Sequence, residues 1–141
     1  MSPPDETSNP REEERRGLPE DPGPIRGGPP SGQQVSDEIS REILRIHEES
    51  YGRGAKNAET HVSDEWVIVV LEDIELAPNE QFLVDNGKRD AVAHVRHQYQ
   101  FAIQGPFRAA VERATGRKVV GFASTTNVEE PRFMAEIFKL E

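Results

Sequence analysis

The longest unbroken apolar run in the chain, Trp66–Leu71, constrains the fold more than any other feature. Six residues fall far short of the roughly 20 needed to cross a bilayer as a helix. Four of the six are β-branched, so the run reads as a strand. Side chains of a strand alternate between faces, which sends Trp66, Ile68 and Val70 one way and Val67, Val69 and Leu71 the other. A sheet with one solvated face alternates apolar with polar residues; this one does not. The stretch Arg132–Leu140 behaves similarly, with only Glu136 and Lys139 interrupting it. Either the helices divide between the two faces, or a second subunit covers one of them, sheet to sheet or helix to sheet.

The remaining pattern fixes what lies around these strands. Ser36 is a suitable N-cap, with Asp37 and Glu38 in the first turn and Ile39, Ile43 and Ile46 at helical spacing. Gly52 or Gly54 supplies the left-handed stop. Lys56–Val62 pairs with Trp66–Leu71 across a Ser63-Asp64-Glu65 turn. Pro78-Asn79 opens a helical stretch interrupted at Gly87, and a long helix follows to Thr115. Its expected core stripe is Val92, Val95, Tyr99, Ala102, Ile103, Phe107, Ala110, Val111 and Ala114. As one rod, Lys88–Thr115 would measure about 42 Å, whereas a seven-residue strand spans about 23 Å. Pro106 removes a backbone hydrogen bond, so a kink or break is expected at Gly105-Pro106. Strands Lys118–Ser124 and Arg132–Leu140 close the chain, joined by Thr125–Pro131. The predicted class is α+β: an antiparallel four-stranded sheet with helices, in the order α-β-β-α(kinked or broken)-β-β.

This domain is expected over residues 35–141. Residues 1–34 hold eight of the 11 prolines and five of the 11 glycines, with seven acids and four arginines. Such a segment buries too little surface to offset its ordering entropy. It reads as a disordered acidic arm, either solvated or docking a partner.

Charge and composition narrow the function. A net charge of −9, from 17 basic and 26 acidic residues, argues against nucleic-acid binding and against adsorption to anionic lipid. The absence of cysteine removes thiolate chemistry, disulfides and cysteine-based zinc or iron–sulfur sites. The N-terminus lacks the basic and apolar regions of a secretory signal, which leads to the expectation of a cytoplasmic protein.

Three constellations are candidates for chemistry. Asp90, His94 and His97 share one helix face with metal-ligand spacing, and His47 or His61 would have to join them. The bland reading, a solvated or interface face, is the expected one. Phe101 is predicted on the same outer side, so His94, His97 and Phe101 are candidate interface residues of a homodimer. Arg53, Lys56 and Arg117 would form a small-anion site if the fold brings them together. The Gly52-Arg53-Gly54 loop nevertheless follows a helix C-terminus, where the dipole disfavours anions. Arg89 and Arg96 read as surface ion-pair residues, with Asp85, Asp90 or Glu112 as partners. No nucleophile elbow, dinucleotide fingerprint or catalytic histidine pair occurs.

Several stretches together resemble the MpsC-like domain, a small bacterial domain. They are Tyr51-Gly52-Arg53-Gly54, Arg96 with Gln100, Glu112-Arg113-Ala114-Thr115-Gly116-Arg117-Lys118-Val119, the Ser124 to Asn127 loop and Phe138-Lys139-Leu140. The resemblance spans residues 36–141 and leaves out the arm. The family takes its name from a sodium-translocating, membrane-potential-generating system. The resemblance implies a soluble accessory component beside integral membrane transport proteins, peripheral to the membrane through protein contacts, with no catalytic residues and no cofactor. The alternatives are a cytoplasmic sensor of a small anion or metabolite and, further off, a metal-dependent enzyme using His94 and His97.

Overall fold

A computed structural model of the chain describes residues 31–141. Residues 1–30 of the expected arm lie outside the described residues. Its last four residues, 31–34, supply the cap and the first turn of the first helix. Ser31 caps α1 (Gly32–Tyr51): its hydroxyl accepts from the Gln34 N–H at 3.1 Å, and its own N–H donates to Gln34 Oε1 at 2.9 Å. That reciprocal pair satisfies two donors that a helix start leaves without partners, so the cap lies five residues before the expected Ser36. Gly52, at φ 69°, stops it.

β1 (Asn57–Val62) and β2 (Trp66–Glu72) form the expected hairpin. Three helices follow, separated near the two expected interruptions: α2 (Pro78–Asp85), α3 (Arg89–Ala102) and α4 (Gln104–Thr115). Gly87, at φ 77°, separates the first two. The break in the long stretch falls at Ile103, a little before Gly105-Pro106. Pro106 has no N–H for the Ala102 carbonyl and its ring crowds that carbonyl, so α3 ends at Ala102. The overlong rod thereby becomes two segments of 14 and 12 residues, each about as long as the sheet is tall.

β3 (Val119–Asn127) and β4 (Phe133–Leu140) complete an antiparallel sheet in the order β1-β2-β4-β3. β3 runs three residues beyond the expected Ser124, because Thr125, Thr126 and Asn127 pair with Ala135, Met134 and Phe133. The hydroxyl-rich stretch expected as a loop is therefore strand, and its β-branched threonines suit it.

The helices do not divide between the faces. Val67, Val69 and Leu71 of β2 and Met134, Phe138 and Leu140 of β4 point inward, against Ile39 and Ile43 of α1 and Phe107 and Val111 of α4. On the other side Trp66 and Ile68 remain exposed.

Candidate functional site

Two features stand apart from ordinary packing. The first is the outer face of the sheet. The register places Ile68, Ile137 and Ala123 in one row across β2, β4 and β3, and Val70, Ala135 and Thr125 in the next. Trp66 is 45% exposed and Ile68 37%. No described helix covers this face. Lys139 Nζ lies 5.0 Å from the centre of the Trp66 ring and bonds Glu65 at 2.7 Å, so the rim holds little free positive charge.

The second is a polar cluster beneath α3. The buried side chains of α3 are Val92, Arg96 and Gln100, not the expected Val92, Val95 and Tyr99. Val95 is exposed, and Tyr99 uses its hydroxyl to donate to the Ser50 carbonyl at 2.7 Å. Arg96, expected on the surface, is 2% exposed. It donates to both oxygens of Glu80 at 2.7 and 2.8 Å and lies 4.5 Å from the centre of the Tyr51 ring. Burial pushes the Glu80 carboxyl up. Hydrogen bonds from Arg96 and the Ala77 N–H, together with the guanidinium charge, outweigh this and hold it below the usual carboxylate range. Gln100 Nε2 donates to Tyr51 Oη at 2.9 Å and lies 3.8 Å from Met134 Sδ.

Around this pair lie polar atoms with no protein partner. They are both ring nitrogens of His47, Gln100 Oε1, Ser124 Oγ, Thr126 Oγ1 and both carboxylate oxygens of Glu136. The sheet brings three of these residues to neighbouring positions: Ser124 sits opposite Glu136, and Thr126 opposite Met134, two residues before Glu136. Burial pushes the Glu136 carboxyl up to about 8. The nearby Ser124 hydroxyl pulls slightly the other way without completing a hydrogen bond. Burial, aided by the Arg96 charge, pushes His47 down to about 4. An unpaired buried polar group costs about 1–3 kcal/mol, which sets these side chains apart from the apolar interior formed by α1, α4 and the inner face of the sheet.

The residues singled out from the sequence are placed as follows. Arg53 pairs with Glu75 at 2.6 Å, beyond the end of β2, and the Lys56 N–H donates to the Glu72 carbonyl at the same end. Arg117 donates to the carbonyls of Asp64 and Glu141, at the other end of β2. The three basic residues do not converge, because a strand length of about 23 Å separates Arg117 from the others. His97 Nδ1 donates to the Ser124 carbonyl at 3.2 Å, and His94 is exposed. Among the described residues, no group of three or more His, Cys, Asp or Glu side chains is placed to hold a metal ion. Phe101 does not point clear of its own sheet. It is 49% exposed, with its ring edge-on to Phe122 of β3 at 5.9 Å. Arg89 pairs with Glu129. Arg96, Gln100 and Glu136 are site residues that the helical and strand patterns do not single out. The available signal was that Arg96 and Gln100 continue Val92 at four-residue steps, and that Glu136 alternates with Met134 and Phe138.

Among the described residues, no helix is long and apolar enough to cross a membrane. Residues 31–141 match the protein family described as Na+-translocating membrane potential-generating system (MpsC). No curated protein and no solved structure matches the chain.

Proposed function

Because the chain belongs to the MpsC family through residues 31–141, we propose that it is a non-enzymatic accessory component of a sodium-dependent membrane system, acting as a homodimer in the cytoplasm. It meets the membrane through protein contacts with integral transport subunits. The observation that supports this is the apolar outer face of the sheet.

A second copy suits that face for three reasons. Four strands at about 4.8 Å spacing and seven residues in length give a flat footprint of about 19 by 23 Å, at the low end of specific interfaces and suited to a reversible sheet-to-sheet contact. Its central rows, Ile68–Ile137–Ala123 and Val70–Ala135–Thr125, are nearly free of charge, and such a surface matches itself about a twofold axis. Two sheets pack about 10 Å apart with interleaved side chains, which would bury Trp66 and Ile68. A lipid surface fits less well, since anionic headgroups reward clustered Lys and Arg and Lys139 is already engaged by Glu65.

Light scattering at micromolar concentration tests the dimer. The expected species has twice the 15.8 kDa chain mass, and Ile68→Lys reduces it to a monomer with unchanged far-UV circular dichroism. A parent protein that is monomeric throughout sinks the homodimer. Affinity purification from native membranes, followed by mass spectrometry, tests the transport partner. Recovery of the chain without any integral membrane protein counts against that part.

A further inference from the structure

The outer face of the sheet differs at its two ends. At one end Glu59 of β1 stands opposite Val70, and Glu72 of β2 opposite Phe133 of β4. These residues, with Asp73 and Arg132, line an open cavity of about 390 Å³. Val70 and Phe133 supply apolar wall, and Glu59, Glu72 and Asp73 bring three carboxylates to it. Arg132 is committed elsewhere. It donates to the Ile74 carbonyl and to Gln81, both at 3.2 Å, and pairs with Glu130 at 3.0 Å. At the other end Trp66 stands opposite Lys139. An ammonium has three donors, of which Glu65 takes one.

We propose that two copies of the chain meet with their strands reversed, so that the Trp66–Lys139 end of each fills the acid-lined cavity of the other. This rests on the homodimer proposed above and adds which ends meet.

Symmetry leaves two arrangements, and charge chooses between them. The twofold axis of a face-to-face pair lies between the sheets. If it runs along the strands, like ends meet. The cavity then faces its own copy, and three carboxylates from each oppose one another across the interface. Like charges so placed disfavour the contact. If the axis runs across the strands, midway between the rows of Ile68 and Val70, Ile68 lies over Val70 of the partner subunit. Trp66 then lies over Glu72 of the partner subunit. The contact forms twice, about 20 Å apart along β2. Packed sheets cross at about 30°, which moves a row about 10 Å from the centre by about 5 Å; the long Lys139 side chain spans that displacement. Its two remaining donors meet Glu72 and Asp73 of the partner subunit, and the Trp66 ring, 45% exposed in the single chain, leaves water for the apolar wall of the cavity.

The test is the dissociation constant of the full-chain dimer, measured by sedimentation equilibrium and by the emission of Trp66, the chain's one tryptophan, on dilution. Glu72→Lys should raise the constant about tenfold, because it turns an attraction into a repulsion at each of two symmetric contacts. Lys139→Glu should do the same, and the two changes together should return the constant close to the parent value. Asp73→Asn suits the left-handed φ of 51° at that position. It should raise the constant about threefold, and it answers the question if a charge reversal disturbs folding. Like-end packing has the opposite sign, since Glu72→Lys and Asp73→Asn would then relieve repulsion. A dimer that these two changes tighten or leave unaltered overturns the reversed arrangement and leaves the homodimer standing. So do two charge reversals whose effects simply add. A parent chain that is monomeric throughout removes the homodimer and this arrangement together.

Discussion

Removing the two members of the Arg96–Glu80 pair should have unequal consequences, and the inequality follows from their burial. The side chains are 2% and 20% exposed respectively. Glu80→Ala leaves a guanidinium that cannot shed its proton and cannot reach water. Stranding a buried charge in this way costs about 3–5 kcal/mol, a large fraction of the roughly 5–15 kcal/mol that holds a domain folded. It also removes the acceptor for the Ala77 N–H at the start of α2, adding about 1 kcal/mol. Arg96→Met instead leaves a carboxylate already in partial contact with solvent. It places an adaptable apolar chain beside Met134 and Tyr51, where Arg96 now packs. The expected cost is about 1–3 kcal/mol. The double variant should resemble Arg96→Met plus the lost cap, so that a double-mutant cycle returns a coupling of about 3–5 kcal/mol, the cost of the stranded charge. Urea denaturation followed by far-UV circular dichroism supplies all four corners of the cycle. If the two single variants cost the same and their effects add, the pair is not the buried, mutually dependent unit described above.

Other outcomes follow from other parts of the molecule. His47 carries a folded value near 4 against an ordinary 6.5, so between these pH values the unfolded chain binds a proton that the native chain does not. Parent stability relative to His47→Phe should therefore fall by about 3 kcal/mol as pH drops from 6.5 to 4; the difference between the two proteins removes the common contribution of Glu136, and parallel curves would refute it. Ser31→Ala should destabilise by about 1 kcal/mol through loss of the reciprocal cap, measured as a lowered urea midpoint. Phe101→Glu should loosen its contact with Phe122 and leave the proposed dimer intact; dissociation of the dimer by this change, but not by Ile68→Lys, would transfer the interface to the helix face.

Where sequence and fold agree, local chemistry is strong enough to act alone. Ile39, Ile43 and Ile46 are buried on one stripe of α1, as their spacing requires. The double-sided apolar character of Trp66–Leu71 survives as one covered and one open face, because alternation in a strand is geometric. Pro106 broke its helix through the carbonyl four residues earlier. The polar cluster was less legible. On α3, Val95 and Tyr99 competed with Arg96 and Gln100 for the inward side, and apolarity alone chose the wrong pair. The winning pair was decided by Glu80, 16 residues back in the chain, and by Met134, 34 residues beyond Gln100. Partnerships at such separations leave no mark in a helical period. Thr125, Thr126 and Asn127 carry side chains that favour turns, which predicts a connection after Ser124, yet pairing with β4 draws them into the sheet.

β4 gives its two sides to different chemistries. Glu136 faces inward beneath α3, while Ala135 and Ile137, its immediate neighbours, face outward. The wall between the oxygen-rich interior and the bare exterior is thus a single polypeptide thick. A tight interior transmits small displacements instead of absorbing them. Whatever settles on one side of this strand leans on the same backbone that shapes the other, and a shift of a fraction of an ångström would be felt as a change in fit by anything resting against the far surface.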